Sequence, residues 1–186
     1  MSNRIPWFER RFSFDFPVEW YPEFIERLRG LPARAEEHVA RAAALARAGA
    51  APADILTRRE NGRGWSILEN LGHLIILDDL WERRLDDYLS GKPTLSAADL
   101  TNAATNTADF NQRAPEAITA ELRQIRGDFV ERLESLDSSV FGRTAVHPRL
   151  NLPMRLVDGL YFSACHDDYH LSRVFELIHR MLIESS

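Results

Sequence analysis

The chain has 186 residues, 45% hydrophobic and 27% charged, which suits one globular domain, residues 1–186, with a substantial core. Its formal net charge of -5 argues against a protein that binds nucleic acid by neutralising phosphates. Cys165 is the only cysteine, which excludes an intrachain disulfide, and no apolar stretch approaches the roughly 20 residues that span a bilayer. The first residues lack the apolar region of a signal peptide. We therefore expect a cytoplasmic protein without nucleic-acid or membrane partners.

The first 21 residues form an arm that is rich in aromatic side chains. Pro6 and Pro17 disfavour a continuous helix in this arm. Exposing so many aromatic rings would cost free energy, so we expect the arm to pack against the domain or against a partner subunit. The aromatic residues of the arm are Trp7, Phe8, Phe12, Phe14, Phe16, Trp20 and Tyr21.

Hydrophobic periodicity predicts four long helices. They cover residues 22–48, with a kink or restart at Gly30 and Pro32, and then residues 66–89, 115–136 and 153–183. Ser66 and Glu69 have the spacing of a capping box, which marks the start of the second helix. No strand pattern is apparent, and residues 137–152 are expected to be a loop. The polar connection 91–114 is too long for a tight hairpin and indicates a crossover, so the sequence predicts an all-α four-helix bundle.

Two histidines in the fourth helix carry the first chemical signal. His166 and His170 are four residues apart, so their imidazoles share one helix face and can converge on one metal ion. The chain has six histidines, and a random order gives such a pair in roughly one chain in five. The pair alone is therefore weak evidence, and two ordinary histidines remain the alternative.

His73 in the second helix adds to this signal. Its neighbours are apolar, so its imidazole should be buried and should need a polar partner. The alternative is a core histidine that bonds another side chain, and small Gly72 would permit close helix approach. In an up-down-down-up bundle the second and fourth helices are antiparallel, which places all three imidazoles near one level, towards the 49–64 loop. Three neutral imidazoles leave coordination positions open, as in catalytic metal sites.

Several segments resemble the DinB-like (YfiT-like) superfamily. They are Trp65–Leu74, which contains His73, and His166–Arg173, together with residues 5–10, 147–150 and 153–158. The resemblance covers nearly the whole chain and implies an up-down-down-up four-helix bundle, often a homodimer. It also implies one divalent metal ion, Zn or Ni, on His73, His166 and His170.

The same resemblance suggests a class of activity. Some relatives are metal-dependent thiol S-transferases, or a maleylpyruvate isomerase, that use bacillithiol, mycothiol or glutathione, and many are described as hydrolases. We therefore expect a thiol S-transferase-like enzyme or a hydrolase that acts on a small molecule, with a low-molecular-weight thiol as candidate cosubstrate. The alternatives are a non-catalytic metal-binding or structural dimeric helical module, and a dimer through the aromatic arm without metal.

Residues near the triad have a functional and an ordinary interpretation. Glu69 is a general base or a capping acid, and Tyr169 is a donor to a developing oxyanion or a packing aromatic. Arg173 binds an anionic substrate group or forms a salt bridge. Asn70 is a candidate pocket residue, and Asp167 a candidate acceptor that orients a ligand imidazole.

Other polar residues are expected to serve structure. Asp168 should be a solvated or interface charge and Cys165 a buried thiol. His147 should serve structure in a loop at the far end of the bundle. His38 and His179 should be surface or packing residues.

Overall fold

The computed structural model describes residues 4–184, apart from the side chains of Asn61, Ile183 and Glu184. Its helices are α1 (Tyr21–Arg29), α2 (Leu31–Arg47), α3 (Ile67–Leu89), α4 (Ala103–Thr107), α5 (Pro115–Glu134) and α6 (Leu156–Glu184). Two short strands, β1 (Thr144–His147) and β2 (Leu152–Arg155), form an antiparallel hairpin. Within the described residues, no helix is both long enough and apolar enough to cross a membrane.

Contacts between the long helices fix their directions. Phe24–Tyr161 and Arg27–Asp168 join α1 to α6. His73–His170 joins α3 to the middle of α6, and Tyr88–Arg155 joins the end of α3 to the residue that precedes α6. Asp78–Arg126 and Glu82–Arg132 join α3 to α5. Residue numbers rise together along parallel helices and in opposite senses along antiparallel ones. Accordingly α6 is parallel to α1 and antiparallel to α3, whereas α5 is parallel to α3. The predicted up-down-down-up bundle is confirmed, with α1 and α2 together as its first helix.

A layer of buried polar side chains divides the core into two apolar halves. One half includes Leu71 and Leu74 of α3 and Leu171 and Val174 of α6. The other half begins further along α3, at Leu80. The polar layer between them contains His73, Asp78, Arg126, His166, Asp167 and His170. Polar groups at this depth need partners, and these partnerships set the geometry of the candidate site.

The hairpin corrects two sequence predictions. Residues 137–152 were predicted to be a loop and the fourth helix to start near Pro153, but the chain forms β1 and β2 and α6 starts at Leu156. Pro153 lies within β2, opposite Val146. Strands of four residues are too short to show a clear alternation of apolar and polar side chains, which explains why the pattern was missed.

The hairpin also anchors the crossover between α3 and α5. Val146 donates its backbone N–H to the carbonyl of Pro93 at 2.8 Å, and Leu95 donates to the carbonyl of Val146 at 3.0 Å. The crossover is therefore not structureless. It contains the single turn of α4 as well as this short pairing.

The aromatic arm packs against the chain's own domain. Trp7 is 8% exposed, and its ring centroid lies 5.0 Å from that of Phe162 and 4.9 Å from that of His166. Arg155 secures the arm further by donating to the carbonyls of Phe14 and Phe16. Of the two expectations for the arm, packing on the domain is confirmed, and the homodimer stays a prediction.

Candidate metal centre

The start of α3 positions the first histidine of the triad. The Ser66 hydroxyl accepts from the backbone N–H of Glu69 at 3.1 Å, and the Glu69 carboxylate accepts from the Ser66 N–H at 2.8 Å. This is the predicted capping box, and it fixes the start of the helix two turns before His73. Arg59 also binds the Glu69 carboxylate, and despite burial its charge holds the pKa of Glu69 below the usual value. The carboxylate is fully engaged, and a role as general base stays a prediction.

The structure brings the three predicted histidines together. The ring centroids of His73 and His170 lie 4.7 Å apart, those of His166 and His170 4.6 Å, and those of His73 and His166 5.4 Å. One ring nitrogen from each can be chosen so that all three lie within 4.8 Å of one another. Each histidine is at most 6% exposed.

Hydrogen bonds to neighbouring side chains orient two of the rings. Asn70 donates its amide to the carbonyls of Ser66 at 2.7 Å and Trp65 at 3.3 Å, so its oxygen faces His170. That oxygen lies 3.0 Å from Nδ1 of His170, which must therefore donate, and the lone pair of Nε2 stays available. Ligand histidines in metal sites are oriented in this way.

The other two imidazoles complete the donor set. Nδ1 of His73 lies 2.9 Å from the Thr105 hydroxyl, which the single turn of α4 brings over α3. Nδ1 of His166 is buried and has no hydrogen-bond partner within the described residues. A buried nitrogen without a partner is rare in native proteins, and no described protein group competes with a ligand for this one.

Burial keeps the imidazoles neutral. It lowers the pKa of His73 to about 4. It also lowers the pKa values of His166 and His170 well below the usual value, and the neighbouring histidines lower them further. Neutral imidazoles are the form that binds metals, so three nitrogen donors in this state fit a divalent transition-metal ion.

The triad lines a cavity of about 520 Å³. Its walls come from the aromatic arm, from α3 and α6, from the crossover and from the hairpin, and they are mainly apolar. Aromatic residues on these walls include Trp7, Phe8, Trp65, Trp81, Phe162 and Tyr169. Cavities of this size with a few convergent polar groups are typical of small-molecule sites.

Two further predicted residues, Tyr169 and Arg173, also line this cavity. The ring of Tyr169 lies under the guanidinium groups of Arg4 and Arg10, at 4.3 and 4.8 Å. Arg173 forms an ion pair with Glu60 at 2.6 Å. Each therefore has the ordinary contact that was the alternative interpretation, and their catalytic or substrate-binding roles stay predictions.

The expectation that Asp167 orients a ligand imidazole is wrong. Asp167 is fully buried, and its carboxylate binds Arg126 at 2.5 Å. Asn70 and Thr105 contact the histidines instead. Asp168 is half-buried between Arg27 and Arg34 in ion pairs within the chain.

The remaining residues of the prediction lie away from the triad. Cys165 is half-buried beside Arg27, with Sγ 3.9 Å from a guanidinium nitrogen, and is not part of the cavity wall. His38 is half-buried, and the exposed ring of His179 stacks on Phe175.

Sequence reasoning missed part of the cavity wall. His147 was assigned to a distant loop, but it is 2% exposed at the end of β1 and lines the same cavity as the triad. Arg84, Trp81 and Arg149 line it too. The only sequence signal for any of them was the family-like segment 147–150.

Comparison with known proteins agrees with this architecture. A family model described as the DinB superfamily matches residues 37–174. The chain belongs to the DinB superfamily. A DinB-superfamily assignment was the expectation drawn from the histidine segments, and it is confirmed.

The chain is also similar to a solved structure, YfiT from Bacillus subtilis, described as a probable metal-dependent hydrolase with an unusual four-helix bundle topology. The two share 20% identity with a TM-score of 0.74, over 92% of this chain and 93% of that one. At this identity the likeness shows the fold. No curated protein matches this DinB-superfamily chain.

Proposed function

We propose that this protein is a metal-dependent enzyme in which His73, His166 and His170 hold one divalent ion, Zn or Ni. The observation that carries the proposal is the convergence of three buried, neutral imidazoles on the wall of an open cavity. A closed structural site would use a fourth protein ligand. Among the described residues the cluster has three members, which favours an enzyme over a structural module.

The chain's own residues hold the site in place. Asn70 and Thr105 orient the imidazoles of His170 and His73, and the aromatic walls exclude water and bind an apolar reactant. A bound ion supplies Lewis-acid chemistry, which lowers the pKa of a thiol or a water molecule at its open positions.

We favour a thiol as the nucleophile because carboxylates near the triad are already engaged. Glu69 is bound by Ser66 and Arg59, and Glu60 by Arg173 and Arg180. Asp99, which lines the cavity, accepts hydrogen bonds from Thr101 and Ala103. A water nucleophile profits from a free carboxylate base, whereas a thiol is the stronger acid and would need only a bound ion to favour its thiolate form. In the proposed transfer, sulfur forms a bond to an electrophilic carbon, the leaving group departs with the bonding electron pair, and the thiol proton passes to solvent. The cosubstrate is a low-molecular-weight thiol.

Hydrolysis is the second candidate. It is favoured by the fold shared with YfiT, which is described as a probable metal-dependent hydrolase. The same three histidines would hold the ion, and only the nucleophile would differ.

The metal site is tested by elemental analysis of protein purified without a histidine tag. We expect about one equivalent of Zn or Ni in the wild type and a large loss in His73→Ala, His166→Ala and His170→Ala. His179→Ala is the control, since this exposed histidine lies away from the triad, and it should keep the wild-type metal content. Full retention by all three triad variants would overturn the site.

The reaction class is tested by a screen of thiols against electrophiles, with protein reloaded with Zn or Ni. Thiol-dependent product formation that disappears in His73→Ala supports S-transfer. Product formation that needs only water supports hydrolysis instead. A metal-loaded protein without activity in either arm of a broad screen would favour the non-catalytic module.

A further inference from the structure

A second polar cluster lines the cavity beside the triad. It consists of Trp81 and Arg84 on α3, His147 at the end of β1, and Arg149 in the hairpin turn. The Arg84 guanidinium carbon lies 5.3 Å from the Trp81 ring centroid. The Trp81 ring centroid in turn lies 6.1 Å from that of His166, so this cluster adjoins the candidate metal centre.

Three donor atoms of this cluster are buried without a hydrogen-bond partner among the described residues. They are Nε1 of Trp81, Nε2 of His147 and a terminal guanidinium nitrogen of Arg149. The backbone N–H of Leu150 donates to Nδ1 of His147 at 3.2 Å, so the proton of the neutral ring is on Nε2. Trp81 and His147 are 5% and 2% exposed. Leaving such donors without an acceptor is costly, and a ligand in the cavity that these three side chains line would supply one.

The charge of the cluster is also unbalanced. Arg84 is 7% exposed and donates Nε to the carbonyl of Ser96. Asp87 pairs with Lys92, and no carboxylate among the described side chains forms an ion pair with Arg84 or Arg149. Burial lowers the pKa of Arg84 to about 10, and it lowers the pKa of Arg149. Arg173, by contrast, is already paired with Glu60. The charge of Asp87 acts on Arg84, and Asp99 lines the same cavity, but neither forms an ion pair with Arg84 or Arg149. Desolvated cations without a paired carboxylate favour an anion in the cavity.

We propose that Arg84, His147 and Arg149, with Trp81, form a subsite for a carboxylate group of the substrate. Guanidinium groups bind the two oxygens of a carboxylate through paired hydrogen bonds, and His147 and Trp81 add neutral N–H donors. The remainder of the molecule lies between aromatic walls and extends towards the triad. The substrate is therefore a small organic acid with an apolar or aromatic body, which deepens the proposed function and rests on it for its catalytic meaning.

The probe for this subsite is 3-phenylpropionate, with the neutral 3-phenylpropanamide as its matched control. Binding is measured by calorimetry and by quenching of tryptophan fluorescence, with the full chain as purified and after removal of metal by a chelator. We expect the carboxylate to bind at least tenfold more tightly than the amide in both samples. Carboxylate binding that disappears with the metal and is insensitive to the arginines would overturn the subsite, because the acid would then be a metal ligand.

Variants connect the binding to the named residues. Arg149→Gln and Arg84→Gln should each weaken carboxylate binding at least tenfold and leave amide binding unchanged. Arg83→Gln is the matched control, because this neighbouring arginine is exposed and paired with Asp79, and it should bind like the wild type. Arg149→Lys keeps the charge, and partial retention of binding confirms its role even if Arg84→Gln folds poorly. Equal binding by wild type, Arg149→Gln and Arg149→Lys would overturn the proposal.

The two proposals fail in different ways. One result is a protein that binds the carboxylate selectively but contains no metal, or shows no activity in the screen. That result would contradict the proposed enzyme and would leave the carboxylate subsite supported. Metal-dependent activity on neutral substrates alone, without selective carboxylate binding, would contradict the subsite and leave the enzyme standing.

Discussion

The side-chain oxygen of Asn70 lies 3.0 Å from Nδ1 of His170, and two backbone carbonyls hold the Asn70 amide in that orientation. The capped first turn of α3 thereby controls which nitrogen of a histidine on α6 is free to bind metal. The two helices are connected through the proposed coordination sphere as well as through apolar packing.

Removal of this contact should weaken metal binding without removing a ligand. In Asn70→Ala, His170 loses the acceptor that fixes its tautomer and ring orientation, and we expect metal affinity to fall about 10–100-fold. The measurement is competition for Zn with a chelator of known affinity. Gln124→Ala, on the exposed face of α5, should leave the affinity unchanged. Unaltered affinity in Asn70→Ala would show that this contact does not support the site.

The buried ionic group of α3, α5 and α6 should be essential for stability. Arg126 is 0% exposed and lies 2.8 Å from Asp78 and 2.5 Å from Asp167. Burial raises the pKa of Asp78 to about 7, whereas the two carboxylates raise the pKa of Arg126 against the opposing effect of burial. Arg126→Met removes the guanidinium that pairs with both buried carboxylates, and we expect a loss of about 3–5 kcal/mol in the free energy of unfolding.

Urea denaturation measures that loss. Arg123→Met is the matched control, because Arg123 lies one turn earlier on α5 and pairs with Glu36 in solvent. The control should unfold at nearly the wild-type urea concentration. Similar midpoints for the two variants would contradict the structural importance of Arg126.

Gly72 should tolerate no side chain. A Cβ atom there would overlap the ring of Phe110, which the crossover places directly against α3. We expect Gly72→Ala to destabilise the protein by about 1–3 kcal/mol, as overpacked cores do. Gly127→Ala is the opposite control, because nothing lies within 4 Å of the added Cβ on α5, and alanine there should stabilise by about 0.5–1 kcal/mol.

Thermal and urea unfolding of both glycine variants test this contrast. The double variant Gly72→Ala, Phe110→Ala should regain little of the lost stability, because removal of the Phe110 ring relieves the overlap but leaves a cavity at a buried position. Equal stability of Gly72→Ala and wild type would mean that Phe110 moves aside freely.

His147 should make the protein sensitive to acid. Burial lowers its pKa to about 3, and the nearby charges of Arg84 and Arg149 act in the same direction. In the unfolded chain the pKa of His147 is near 6.5, so the unfolded chain binds a proton at a higher pH than the folded protein does. The contribution of His147 to the free energy of unfolding is therefore fully present above about pH 6.5 and is lost as the pH falls towards 3. We expect His147 to contribute up to about 1.4 kcal/mol of this loss per pH unit within that window.

The comparison is between metal-free wild type and His147→Gln, in urea at several pH values from 7 to 4. The difference in the free energy of unfolding between the wild type and His147→Gln should shrink as the pH falls, because glutamine does not titrate. A stability difference that stays constant over this range would show that His147 is not buried in its neutral form.

The sequence alone predicted the bundle because its signals are local. The capping box of Ser66 and Glu69 and the four-residue spacing of His166 and His170 depend on residues within one or two helical turns. The structure shows that His73 lies close to that pair. The sequence predicted this closeness only through the expected antiparallel directions of the second and fourth helices.

The contacts that the sequence did not predict join distant segments. Arg126 looks like a surface residue between Ile125 and Gly127, and only the opposing carboxylates on α3 and α6 make its burial possible. Asp167 was predicted to orient a ligand imidazole because it is next to His166 in the sequence, but its carboxylate faces α5 and binds Arg126. His147 was misplaced because a four-residue strand carries too little pattern to show where it packs.

The origin of the cavity walls has a consequence for how this scaffold can diversify. The three histidines lie on the long helices, whereas Trp7, Leu100, His147 and Arg149 come from the arm, the crossover and the hairpin. Trp7 and Phe110 of these connecting segments also pack in the core, so change is best tolerated at their exposed positions, as is usual for loops. The histidine frame on the helices can therefore stay constant while changes in the connections alter the part of the cavity wall that they contribute, next to Trp81 and Arg84 of α3.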